Sequence, residues 1–125
     1  MANEKIKYSN GCSPQELDST SARWYQDSDV GTKLSGSANV SMGSGTLTYQ
    51  SSKEITSAES ALSSKDFVFV RNISGSDVKI SLDNGSNYLV LLSAGESFAS
   101  ELDSSVAAVI ISTDGTSTVE YLSGT

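Results

Sequence analysis

From residue 66 onward the chain alternates short apolar runs with small polar breaks. Residues 66–73 (DFVFVRNI) are rich in aromatic and β-branched side chains, the types that suit a pleated, half-buried surface. Ser74-Gly75-Ser76 ends that run. Residues 77–83 then alternate, with Val78, Ile80 and Leu82 on one face and Lys79 and Ser81 on the other. Period two of this kind marks a strand with one buried face. Asn84-Gly85 follows directly. Both residues accept the positive φ of a type I′ turn, so the pattern predicts a hairpin with residues 87–92 as its return strand. Ala94-Gly95 breaks the chain again. Residues 97–102 form a short strand, or a loop that carries Phe98 and Leu102 inward. Residues 106–113 read as an apolar strand covered on both faces. Asp114-Gly115 turns it, and residues 118–122 close a meander. Turn signals about every 8–12 residues are the spacing of an antiparallel sandwich or barrel.

The first half is less regular. Ile6 and Tyr8 alternate with Lys5 and Lys7, which predicts a strand over residues 4–9. Residues 10–22 hold the single proline, Pro14. Ser13-Pro14-Gln15-Glu16 has the form of a helix start, with Ser13 as cap and Pro14 in the first turn. Residues 31–45 are rich in Gly and Ser and read as loop or weak strand. Leu47-Thr48-Tyr49 is a predicted strand. Residues 50–65 are read as strand and loop, because serines dominate.

The expected fold is therefore all-β: an antiparallel β-sandwich, jelly-roll-like, with an extended Ser/Gly-rich N-terminal half. Residues 1–65 form a segment of weak strands and loops, a candidate docking element. Residues 66–125 carry the sandwich core, and the two make one folded unit. A chain of 125 residues can bury such a core without disulfides or a structural metal. Its one cysteine, Cys12, excludes an intramolecular disulfide and, with no export signal ahead of it, fits a reducing compartment. The opening MANEKIKYSN carries charges and no apolar core, unlike a secretory signal. The longest apolar run, Val106–Ile111, has strand length rather than the ~20 residues of a membrane helix.

Charge changes the picture in one respect. The formal charge is −7. Residues 1–65 contain seven acids and six bases, a net of −1, whereas residues 66–125 contain eight acids against Arg71 and Lys79, a net of −6. The acidic second half repels phosphate backbones and argues against nucleic-acid binding.

Candidate chemistry is sparse. The chain has no histidine, so Ser-His-Asp and Cys-His arrangements and His-containing zinc sites are excluded. Ser76-Asp77-Val78-Lys79 matches Ser-x-x-Lys, but that motif needs a helix to put both side chains on one face, and here a strand begins. Asp27-Ser28-Asp29 opens like a calcium loop, yet Gly31 and Ala38 stand where oxygens are needed. No enzymatic activity, cofactor or metal is expected. Trp24 and Tyr25 are the one dense aromatic pair. They serve either as core filling or as an exposed platform for a sugar or a partner.

The segment FVFVRNISGSDVKISLDNGSNYLVLLSAGESF and the ending ISTDGTSTVEYLSGT resemble small virion proteins of tailed bacteriophages. The shared pattern is an apolar strand leading to Asn and a small polar turn, an alternating strand ending in Asp-Asn-Gly, and an Ala-Gly-Glu turn. It covers residues 67–125, about half the chain. The resemblance implies a compact β-sandwich that cements or decorates the capsid lattice, or sits on a tail or fibre.

The expectation is a non-enzymatic capsid cement or decoration protein on the capsid exterior, made in the host cytoplasm. Its partners would be the major capsid protein or another virion protein and further copies of itself, a trimer among the options, with neither nucleic acid nor membrane. The expected docking residues are Lys5, Ile6, Lys7, Tyr8, Arg23, Trp24 and Tyr25, since basic side chains near the start can pair with acidic groups on a partner. The alternative is a carbohydrate-binding β-sandwich of a tail fibre or lectin, with Trp24, Tyr25 and Tyr88 as stacking residues.

Overall fold

The computed structural model describes residues 5–12, 15–17, 22–24, 34–41, 47–62 and 66–124, and every regular element among them is a strand. In chain order they are β1 (Lys5–Cys12), β2 (Gln15–Leu17), β3 (Ala22–Trp24), β4 (Leu34–Ser41), β5 (Leu47–Ile55), β6 (Glu59–Leu62), β7 (Phe67–Gly75), β8 (Val78–Ser81), β9 (Val90–Leu92), β10 (Ser97–Glu101), β11 (Val109–Thr113) and β12 (Ser117–Gly124). The chain divides into two compact units, Lys7–Asn39 and Met1–Ile6 with Val40–Thr125.

The larger unit is an antiparallel sandwich of two four-stranded sheets, ordered β10-β7-β12-β5 and β6-β11-β8-β9. Its strands pair in a nested way: β8 with β9, β7 with β10, β6 with β11, and β5 with β12. Successive pairs fall in alternate sheets. An antiparallel ribbon wrapped in this manner is a jelly roll, one of the architectures with which all-β chains limit exposed sheet edges. The expected sandwich is present. The expected meander is not, because among the strands of these two sheets only β8 and β9 are neighbours both in sequence and in a sheet. The Asp114-Gly115 turn does reverse the chain, but it carries it from one sheet to the other.

The core lies between the sheets. Val68, Val70, Val119, Tyr121 and Ile55 face it from one side and Val78, Ile80, Leu92, Val109, Ile111 and Leu62 from the other. Val78 and Ile80 point inward as the alternation required, with Lys79 exposed between them. Phe98 is half-buried and Leu102 buried, as expected. The core also reaches back to Ile55 and Leu62, upstream of residue 66.

Two segments differ in detail. The return strand begins at Val90, not Asn87. Asn84 and Gly85 do adopt the predicted positive φ, 60° and 89°, and Ser86 N–H donates to Asp83 C=O across the turn. That turn is the tip of a longer loop over residues 82–89, in which Asp83 bonds Ser81 and Asn87, while Asn84 N–H reaches Ala108 C=O and Leu89 N–H reaches Ile80 C=O. The strand predicted over residues 106–113 is regular only from Val109. Val109, Ile111 and Thr113 are buried, while Ile110 and Ser112 are half-exposed, so one face rather than both is covered.

Of the helix start expected at Ser13–Glu16, Ser13 and Pro14 lie outside the described residues, and Gln15 and Glu16 are in a strand. Gln15, Glu16 and Leu17 pair with Trp24, Arg23 and Ala22. No apolar residue recurs there at helical spacing, so a helical turn would have no face to bury. β1 pairs with β4 in a separate two-stranded sheet. Among the described residues no helix is long and apolar enough to cross a membrane.

Candidate functional site

The outward face of the β11-β8-β9 sheet carries a groove of about 550 Å³, within the size range of small-ligand sites. Lys79 and Ser112 are cross-strand partners and so share one face of the sheet; both line the groove. Tyr88 lines it from the 82–89 loop. Ser76 and Asp77 come from the turn between β7 and β8, and Thr113, Asp114 and Gly115 from the end of β11 and the turn that follows.

Each wall is held by its own hydrogen bonds. Ser81 Oγ donates to Asp83 Oδ1 (2.7 Å) and accepts from Gly85 N–H (2.8 Å). The Asp83 carboxylate in turn accepts from Asn87 N–H (2.8 Å) and Asn87 Nδ2 (2.9 Å). These donors hold the Asp83 carboxyl below the usual aspartate range, the Asn87 side chain contributing most. Asn84 N–H donates to Ala108 C=O (3.2 Å), tying the loop to the approach of β11. Tyr88, next to Asn87, has its hydroxyl close to Gly85.

The opposite wall rests on buried hydroxyls. Thr113 Oγ1 donates to Asp77 C=O (3.0 Å), lies 3.0 Å from Ser117 Oγ, and accepts from Gly115 N–H (3.3 Å). Ser117 Oγ donates to Ser76 C=O, and Ser76 N–H donates to Thr116 C=O (3.0 Å). The two turns that switch the chain between sheets are thus bonded to each other. Lys79 Nζ stands 3.9 Å from Asp114 Oδ2, and both side chains are well exposed. A pair of this kind contributes little to stability and leaves both groups able to bond a ligand.

Ser76 and Lys79 line the same groove, although strand alternation predicted opposite faces. Ser76 lies before β8 begins, so the alternation does not govern it. The ion-pair partner of Lys79 is Asp114. The second half of the Asn72-Ile73-Ser74 sequon is exposed, but Asn72 itself is fully buried, out of reach of a glycosylating enzyme in the folded state.

The residues expected at a docking site distribute over two strands. Lys5, Ile6, Lys7 and Tyr8 lie in β1, with Ile6 and Tyr8 half-buried and Lys7 exposed. Arg23 and Trp24 lie in β3, opposite Glu16 and Gln15. Tyr25 and the Asp27–Asp29 segment fall outside the described residues. Tyr88, one of the expected stacking residues, lines the groove. Its companions Asp77, Ser112 and Asp114 had no sequence signal, because they meet only through the pairing of β8 with β11 and the sheet-switching turns.

A second surface lies beside this one. Leu89 and Leu91 are 88% and 54% exposed, at and next to β9, an outer strand of its sheet. Ile80, Leu82, Leu89 and Val90 form an apolar notch there, rimmed by Asp83 and Asn87.

Comparison of the chain with protein-family models, with curated proteins and with solved structures finds no match.

Proposed function

We propose that this chain is a non-enzymatic structural protein of a tailed-phage virion, a cement or decoration protein that binds the outside of the capsid. The observation that carries the reading is the division of the chain into an acidic jelly roll and a separate small unit of strands. Residues 40–125 contain ten acids and four bases, a net of −6, whereas residues 7–39 contain four acids and three bases, a net of −1. Jelly rolls serve in viral capsid and lectin domains, and the strand-and-turn pattern of residues 67–125 resembles virion proteins in particular.

The mechanism is mass action. A module that binds only the assembled lattice stabilises that state, and many copies multiply the effect. Lys5 and Lys7 on β1, with Arg23 and Trp24 on β3, supply the contact, and the acidic jelly roll faces solvent, where like charge keeps free copies apart. Self-association belongs to the same reading, with Leu89 and Leu91 as its apolar contact.

Co-sedimentation with capsids assembled from the major capsid protein of the same genome tests this. The full chain should pellet with the particles, and less so as salt rises. Deleting residues 1–9 should leave the jelly roll folded and abolish pelleting. Should the deletion unfold the chain, the Lys5→Glu/Lys7→Glu variant takes its place. A full chain that stays in the supernatant refutes the cement reading. A folded deletion that still pellets with unchanged affinity refutes the role given to β1.

A further inference from the structure

We infer that the groove between Tyr88 and the Asp114 turn is a binding site for an uncharged sugar. This goes beyond capsid attachment and does not depend on it. Three features of the groove set the ligand class.

The first is its aromatic wall. Tyr88 is half-buried, with its hydroxyl close to Gly85. An aromatic ring held this way offers an apolar surface at little entropic cost. The C–H face of a pyranose is a matching surface.

The second is the density of polar groups opposite it. Asp77 and Asp114 contribute carboxylates, Ser112 a hydroxyl and Lys79 an ammonium. Sugar hydroxyls both donate and accept, so they suit a wall that presents strong acceptors and a strong donor side by side. The Lys79–Asp114 contact at 3.9 Å is long enough for a ligand hydroxyl to bond both groups.

The third is charge. Asp77, Asp114 and Lys79 sum to −1 within the groove, in a unit of net −6. That field disfavours phosphate, sulfate and carboxylate ligands. An uncharged hexose or N-acetylhexosamine satisfies all three features.

The groove is also preformed. The Ser81–Asp83–Asn87 bonds hold one wall, and the bonds of Thr113 and Ser117 to the Asp77 and Ser76 carbonyls hold the other, so binding need not order a loop.

The test is titration of the ¹⁵N-labelled full chain with methyl β-glucoside, methyl β-galactoside and N-acetylglucosamine, each alone. N-acetylneuraminic acid is the anionic comparison. At least one neutral sugar should give saturable shifts at Lys79, Tyr88, Ser112 and Asp114, with Kd on the order of millimolar for so small a ligand. Tyr88→Ala should weaken binding about tenfold, and Tyr88→Phe, which keeps the ring, should bind like the parent. Asp114→Asn, at an exposed turn residue, reports on the polar wall if Tyr88→Ala disturbs the loop; it should weaken binding several-fold. No saturable shift with any of the three neutral sugars overturns the inference. So do shifts confined to other surfaces, unchanged binding in both variants, or equally tight binding of N-acetylneuraminic acid. Particle co-sedimentation is a separate readout, so either proposal can fail alone.

Discussion

Asn72 is one of the residues that tie the two sheets of the jelly roll by polar bonds. It sits on β7, fully buried. Its Nδ2 donates to Leu92 C=O on β9 and to Ser76 C=O, both at 3.0 Å. Its backbone N–H donates to Glu96 C=O (2.9 Å), and its C=O accepts from Gly95 N–H (2.6 Å). Its Oδ1 has no partner among the described residues. Asn72→Asp replaces two donated bonds with a buried carboxylate facing carbonyl oxygens, and should cost several kcal/mol at neutral pH, roughly 4. Urea denaturation should show a much lower midpoint than Asn72→Ala, whose loss should be about 2 kcal/mol. Gly75, three residues on, has φ 102°, and a Cβ there would lie 2.3 Å from Thr116 C=O. Backbone cannot yield to such a contact cheaply. Gly75→Ala should therefore destabilise by about 2 kcal/mol or more in the same assay.

At the scale of elements, β8 and the loop that follows show how far local pattern reaches. Ile80 is 1% exposed and Lys79 lies on the opposite face. Ile80→Asp should unfold the chain or cost several kcal/mol, about 4, by thermal melting. Lys79→Asp should stay within about 1 kcal/mol. The 82–89 loop depends on an ionised Asp83. Its folded pKa is lowered by the donors from Asn87 and Ser81, so its contribution is fully present above the ordinary aspartate pKa. That contribution is lost as pH falls through the lowered value. Carboxyl ¹³C titration should place Asp83 below a free aspartate, and Asn87→Ala should return it upward. Across the sandwich, Arg71 and Glu120 are directly opposed on β7 and β12 at 3.1 Å, and Glu120 also accepts from the Tyr49 hydroxyl. That row is a surface feature of modest energetic weight.

At the scale of the molecule, the nested pairing makes the last strand indispensable. β12 lies between β7 and β5, so a chain ending at Thr116 loses the strand that joins them. Circular dichroism of that truncation should show loss of the cooperative β transition. Folding should be slow, milliseconds to seconds, since closing β5 on β12 brings distant parts of the chain together before any of their contacts form. Local pattern along the chain was enough for the all-β class, for the inward residues Val78 and Ile80 of β8, and for the left-handed conformations at Asn84 and Gly85. These follow from side-chain period and backbone sterics, which act over a few residues. It also offered Tyr88 as a candidate stacking residue, and Tyr88 lines the groove. That Asp114-Gly115 joins two sheets rather than two strands of one was settled by long-range strand pairing. The same holds for Ile55 and Leu62 closing the core, and for Tyr88 sharing a groove with Lys79, Ser112 and Asp114. A turn signal specifies that the chain reverses. Which strand the reversed segment meets is set by long-range pairing and burial, and no local pattern encodes those.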